Sequence, residues 1–352
     1  MVAVSNLDPG SIDSVRAAKN GVGLKEMRAA LVLVLALTAC VGTPKPEVLK
    51  GPVVGYTTRS WRDPVTGRPL RSVVFFPPLR PLVQTPTRMG PWWVEAGSSE
   101  AIAFGLHPLV VISHGEEGSR FGHHDLAVAL ARAGFVALTF EHPGDNYADA
   151  TGVGTQRVLL GRAWQVSGAI DALMEDPLFA PHIDASRIGV AGFSAGGYTS
   201  LLLLGAKPDF TRWAGYCARH PEDLALCKDK HEEVTLDADK PTKDDRVKAA
   251  FVMAPLGIFF GQEAFWGVRR PVSLAVAEKD TVLLPAENAE VVRAGLSTIV
   301  EFTQVPGADH YVFLAPCGGE AKLCADPPGV LRAAVHDSLN TAAVKFFAAQ
   351  LK

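Results

Sequence analysis

The chain has 352 residues, 48% of them hydrophobic and 20% charged, with a formal net charge of −3. That is ample apolar material for one large core or two modest domains, and with no sustained basic block nothing predicts nucleic-acid binding. The 33 glycines and 25 prolines are spread over many short junctions, and no repeat of solenoid length occurs.

Residues 1–26 are polar and unpatterned. Lys25 and Arg28 then supply positive charge beside an apolar run, Ala29 to Ala39, that closes on Leu37-Thr38-Ala39-Cys40. About eleven apolar residues are too few to span a bilayer and fit the core of a signal peptide. The ending resembles a bacterial lipobox, which implies that Cys40 is lipidated and becomes the mature N-terminus. A conventional secretory signal with an incidental Cys40 is the alternative. Residues 1–40 are therefore expected to be a signal segment, and Met27 reads as an alternative start because MRAALVLVLALTAC is complete by itself. Residues 41–54 read as a tether. Val41 is not the aspartate that retains some lipoproteins at the inner membrane, so an outer-membrane address is expected if the host has two membranes.

Gly55 to Pro77 predicts a β-hairpin around Asp63-Pro64-Val65-Thr66-Gly67. Arg80 to Gly105 is Pro-rich and irregular; it is expected on the surface near the site mouth, although core packing is the commoner job for a pair such as Trp92-Trp93. Leu109 to Ser113 and Phe135 to Phe140 are short apolar runs, as in strands buried on both faces. Ala127 to Gly134 carries a helix between them, and Thr155 to Glu175 has helical periodicity. Arg187 to Leu204 reads as strand, sharp turn and helix. This alternation is the βαβ grammar of a parallel sheet. Lys207 to Asp245 turns polar and reads as an insertion over the sheet's carboxyl edge, either a lid or a solvated excursion. Val247 to Pro255, Val272 to Ala277 and Ile299 to Val305 resume the strands; Pro285 to Leu296 and Leu331 to Leu351 are helical.

The sharp turn holds Gly192-Phe193-Ser194-Ala195-Gly196, a G-x-S-x-G pattern. A serine capping a tight strand-to-helix turn needs near-absent side chains two residues before and after it. The N–H of Ala195, at a helix N-terminus, then points toward a developing oxyanion. Such a serine needs a base, and the base needs an anion to fix its tautomer. Downstream of Val272 stand His310, in a loop past the last strand, and His336, inside the final helix. His310 is the expected base, because a helix offers no loop to reach the site. Asp280, just past Val272–Ala277, is the expected acid, with Glu278 and Asp309 as runners-up. The second oxyanion donor is expected at Glu116, where Gly115 permits close backbone approach; the side chains of Glu116 and Glu117 are expected to face solvent. His142 ends a strand on the same rim and reads as structural or pocket-lining.

SHGEEGSR, GFSAGG, AEKD and GADH, in this order, resemble the α/β-hydrolase superfamily over residues 55–352. Within it, the SHG-x-x-G-x-R stretch and the strand ending Glu141-His142 look like the bacterial predicted dienelactone hydrolase group, itself similar to platelet-activating-factor acetylhydrolases and secreted polyesterases. The resemblance implies an eight-stranded, mostly parallel sheet flanked by helices, a serine esterase mechanism and no cofactor. Ser194 stands where true dienelactone hydrolases carry cysteine, which favours ordinary esters. A phospholipase or acetylhydrolase acting on short-chain or oxidised lipids is the second reading, motivated by the lipid anchor. A ligand-binding protein on a retired hydrolase scaffold is the third.

With Cys40 reserved for lipid, four cysteines remain. An even number in an exported chain suggests disulfides, and Cys217–Cys227 and Cys317–Cys324 are expected because each pair shares one polar loop. Neither spacing is CxxC, so no metal site is expected.

Overall fold

The computed structural model describes residues 51–82, 86–227, 240–317 and 322–352. The signal segment, Cys40, residues 41–50 of the expected tether and 228–239 of the expected insertion lie outside them.

The chain enters the fold through the expected hairpin. β1 (Val54–Arg62) and β2 (Pro69–Phe76) pair antiparallel, with Arg62 opposite Pro69. Asp63 closes the turn: its carboxylate accepts the N–H groups of Val65 and Thr66 at 3.1 and 2.9 Å, and Gly67 takes the positive φ of 72° that the return requires. β3 (Thr87–Met89) and β4 (Trp92–Val94) form a separate ribbon. Its two tryptophans divide the work. Trp92 packs partly buried beside His124, while Trp93 is exposed.

β5 (Ala96–Ser98), β6 (His107–Ser113), β7 (Val136–Phe140), β8 (Ile183–Phe193), β9 (Val247–Met253), β10 (Val272–Ala277) and β11 (Ile299–Val305) complete the strands. The main sheet runs β11-β10-β9-β8-β6-β7-β2-β1-β5. Every pair from β11 to β7 is parallel, β7–β2 and β2–β1 are antiparallel, and β5 runs parallel to β1. The sheet therefore has nine strands and not the expected eight. The extra one is β5, three small residues without a strand pattern of their own, which pair along the otherwise free edge of β1.

Six helices of seven residues or more cover the sheet among the described residues: α1 (His124–Arg132), α2 (Gln156–Glu175), α3 (Ala195–Leu203), α4 (Arg212–Arg219), α5 (Ala289–Gly295) and α6 (Arg332–Gln350). Strand residues alternate between two cores. On β6, Leu109 and Val111 join the core that contains Leu159 of α2 and Leu201 of α3; Val110 and Ile112 join the core of Leu126 from α1 and Phe347 from α6. A strand covered on both faces has no polar face to keep, which is why these runs are apolar throughout. The helix expected over Pro285–Leu296 is broken. A 3₁₀ turn (Pro285–Glu287) precedes α5 because the buried Asn288 between them spends its amide on Gly257 N–H, at 2.8 Å, and on Leu284 O.

β6 lies between β7 and β8, so the chain leaves it on one side and returns on the other. The loops at the carboxyl ends of β6 and β8 diverge there and open a crevice at the sheet's switch point.

Candidate active site

β8 runs straight into α3 through Ser194, whose φ of 57° lies in the region that disfavours a side chain. The turn is as tight as its glycines imply. A Cβ at Gly192 would come within 2.0 Å of Gly196 O, and one at Gly196 within 2.0 Å of Ser113 O on β6. The backbone is tied from below, since Ser194 N–H donates to Met253 O at 2.9 Å. Ser194 thus sits in strained geometry that its neighbours over-determine.

The loops after β10 and β11 are stitched together by three side chains. Glu278 accepts Gly307 N–H at 2.7 Å, Asp309 accepts Thr281 N–H at 2.7 Å, and Asp280 accepts His310 Nδ1–H at 2.7 Å. Of the three carboxylates in reach, only Asp280 meets the imidazole. Glu278 spends its carboxylate on backbone, and Asp309 on backbone N–H groups and the Thr281 hydroxyl. The second oxygen of Asp280 is held by the N–H groups of Val282 and Leu283 at 3.0 and 2.7 Å. Both partners of the pair are buried, and the ring of Phe193 covers His310 with centroids 4.7 Å apart. With Nδ1 committed to Asp280, Nε2 is the nitrogen left to act.

Ser194, Ala195, His310, Glu116 and Phe193 line one cavity of about 160 Å³, together with Gly115, Leu226, Leu256, Val282, Leu283 and Tyr311. Among the described residues no hydrogen bond joins the Ser194 hydroxyl to His310, a contact that in unliganded hydrolytic sites often tightens only with substrate bound. Among the described residues the N–H groups of Ala195 and Glu116 have no partner: Ala195 opens a helix, whose first donors are free, and the neighbouring N–H of Glu117 is taken by Asp145 at 2.7 Å. Glu117 carries a φ of 51° that turns this loop.

Glu116 and Glu117 keep exposed surface, as expected, but both also line the cleft. Enclosure by protein, then the nearby charges of Asp145 and Glu117, raise the Glu116 carboxyl to about 7. His142 is fully buried and structural. Its Nδ1–H donates to Gln165 Oε1 at 2.7 Å, so its Nε2 accepts from Ser113 Oγ at 2.9 Å. Burial, and then the charge of Arg162, hold His142 and His114 well below the usual histidine range.

His336, set aside because it lies on a helix, has a supporting contact. It pairs with Asp125 at 2.6 Å and bonds Val312 O at 2.8 Å, two residues beyond His310. The disulfides are Cys217–Cys227 and Cys317–Cys324. The first closes a wall of the cavity, because Trp213 on α4 donates to the carbonyl of Leu226 at 2.8 Å. Among the described residues no group of His, Cys, Asp or Glu converges as metal ligands do, and no helix is long and apolar enough to cross a membrane.

No family model matches the chain, and no curated protein does. Solved structures do. A ferulic acid esterase from Streptomyces cinnamoneus superposes with a TM-score of 0.59 at 20% identity, over 88% of this chain and 92% of that one. A dienelactone hydrolase from Anabaena variabilis superposes with a TM-score of 0.49 at 17% identity, over 84% of this chain and 99% of that one. The fold is that of the α/β-hydrolases.

Proposed function

We propose that this protein is a serine hydrolase of carboxylic esters. The observation that carries the reading is the buried Asp280–His310 hydrogen bond in the wall of the same cavity as Ser194, at the carboxyl edge of the sheet. In this reading the Ser194 hydroxyl attacks the ester carbonyl while His310 Nε2 takes its proton. Asp280 holds the tautomer and stabilises the imidazolium. The N–H groups of Ala195 and Glu116 receive the oxyanion. His310 passes its proton to the leaving alcohol, and a water molecule, activated the same way, releases the acid from Ser194.

A cavity of about 160 Å³ is smaller than the pockets that enclose drug-sized ligands, roughly 300–1,000 Å³. It favours esters with a short acyl group, which is also what the second reading, an acetylhydrolase of short-chain lipids, requires. Two disulfides fit an oxidising compartment. The lipobox-like sequence before Val41 adds attachment through lipid on Cys40, for which the expected result is fatty-acid labelling in cells that is lost in Cys40→Ala.

The test is release of p-nitrophenol from acetyl, butyryl, octanoyl and palmitoyl esters by the protein and by Ser194→Ala. Turnover on the short chains, lost in the variant, is expected. Equal turnover by Ser194→Ala refutes the reading. No turnover and no labelling by a fluorophosphonate leaves a binding role on a hydrolase scaffold.

A further inference from the structure

Arg162 lies in the middle of α2, and its guanidinium is 1% exposed. A buried cation persists only when it is paired and its donors are used. Here each bond leads toward the oxyanion site. Nη1 donates to Asp145 Oδ2 at 2.5 Å. Nη2 donates to the carbonyl of His114 and to Ser113 Oγ, the latter at 3.2 Å. Nε donates to Thr199 Oγ1 at 3.2 Å.

The far ends of these bonds matter more. Asp145 uses its other oxygen to accept the N–H of Glu117. His114 O and Glu117 N therefore bracket Glu116, and both are anchored on the same ion pair. Thr199, in turn, donates its hydroxyl proton to the carbonyl of Ala195 at 2.8 Å. One guanidinium thus reaches both backbone segments that carry the free N–H groups, one on the loop after β6 and one on α3. The β6–β8 ladder spaces these segments up to Ser113 and Gly192; beyond it the loop and the helix diverge, and the guanidinium ties them there.

We propose that Arg162 and Asp145, with Thr199 as the link to α3, are positioning residues that fix the separation and aim of the Glu116 and Ala195 N–H groups. The proposal rests on the ester-hydrolase reading. None of the three lines the cavity that holds Ser194 and His310; Arg162 and Asp145 border a smaller recess beside it that shares Glu116 and Ala195. The effect of the three is to hold preorganised donors where charge develops in the transition state, which is where misplacement costs rate more than binding.

The experiment measures kcat and KM on p-nitrophenyl acetate, and the inhibition constant of a trifluoromethyl ketone, for wild type, Asp145→Asn, Thr199→Val and Thr199→Ser. The ketone forms a tetrahedral oxyanion on Ser194 and so reads the hole directly. Asp145→Asn is expected to lower kcat by about 10²-fold, the size of losing one oxyanion donor, with KM little changed and ketone affinity reduced in step with kcat/KM. Thr199→Val, which keeps the shape and removes the hydroxyl, is expected to lower kcat by about tenfold, a partial loss of the same donor; Thr199→Ser restores it. Asp145→Asn disturbs a buried ion pair and can fail to fold. Thr199→Val leaves the ion pair in place and removes one hydroxyl, and each variant is checked for an unchanged melting temperature. Unchanged kcat in Thr199→Val, or losses in kcat with undiminished ketone affinity, overturn the proposal while leaving the esterase reading intact. A wild-type protein that neither turns over ester nor binds the ketone overturns both.

Discussion

Replacing Asp280 by asparagine isolates the contribution of the buried acid. In the native site one oxygen accepts His310 Nδ1–H at 2.7 Å, and the other accepts two backbone N–H groups. Asparagine keeps the second set through its carbonyl oxygen, so the loop after β10 stays in place. Its amide nitrogen then faces His310, and being a donor it requires an unprotonated Nδ1. The proton moves to Nε2, the nitrogen that must accept from Ser194. The electrostatic part follows from Coulomb's law. Charge centres about 4 Å apart at an effective dielectric of about 20 attract by roughly 4 kcal/mol. Because His310 becomes charged only as it takes the serine proton, that attraction acts on the transition state, and losing it lowers the rate by about 10³-fold. The wrong tautomer brings the expected loss in kcat to 10³–10⁴-fold, by about the margin such exchanges show in serine hydrolases. The assay is p-nitrophenyl acetate hydrolysis by Asp280→Asn and by Asp309→Asn, each checked for an unchanged melting temperature. Asp309 serves the Thr281 hydroxyl and the N–H groups of Thr281 and His310, and not the imidazole, so its variant is expected to lose about tenfold or less, within the scale of a loop shift. A folded Asp280→Asn within tenfold of wild type, or equal losses in the two variants, refutes the assignment of the acid.

Glu116, with its carboxyl raised to about 7, predicts an alkaline decline. As pH rises through that value the group becomes a carboxylate beside the oxyanion donors and opposes the developing negative charge. kcat/KM is therefore expected to fall above about pH 7, and Glu116→Gln to flatten the fall; an identical profile in the variant counts against it. Gly196→Ala brings a Cβ within 2.0 Å of the β6 backbone, where no side chain can yield. A cost on the order of 4 kcal/mol or more is expected, read as loss of soluble folded protein, whereas Gly215→Ala, on an exposed helix surface with only the end of Arg219 nearby, is expected to melt no lower than wild type. His123, buried against Phe193, has its pKa lowered to about 4, chiefly by burial. A folded pKa below the unfolded one means that stability is full above about 6.5 and is lost as pH falls toward 4, by up to about 3 kcal/mol. His123→Phe removes this, so melting temperatures of the variant are expected to decline less than wild type between pH 6.5 and 4.5.

Some of the protein was legible because its physics is local. The elbow is one case: a serine between a buried strand and a helix, with glycine at 192 and 196, is a steric requirement written within five residues. The hairpin turn at Asp63 and the two disulfides, which span 10 and 7 residues, are others. Apolar runs named the buried strands because a strand covered on both faces has no polar side. The edge strand β5 was not legible. Ala96–Ser98 has no strand pattern, and its pairing comes from the edge that β1 offers. Nor was Arg162, whose partners lie 17 to 49 residues away in sequence. A charged residue on an amphipathic helix looks solvent-facing until the tertiary structure buries it.

The carboxylates at 278, 280 and 309 show where the division falls. Chain order brought all three near the imidazole loop; position just past β10 put Asp280 first, but residue type could not exclude Glu278 and Asp309. The relative height of the β10 and β11 loops decided it, giving Glu278 and Asp309 backbone N–H groups and leaving Asp280 with the ring. By itself the sequence determined the turns, the buried runs and the elbow, since each depends on backbone sterics or burial within a short span. The tertiary structure alone decided which charges meet, because hydrogen bonds are directional and act over about 3 Å, a precision that spacing along a chain does not carry.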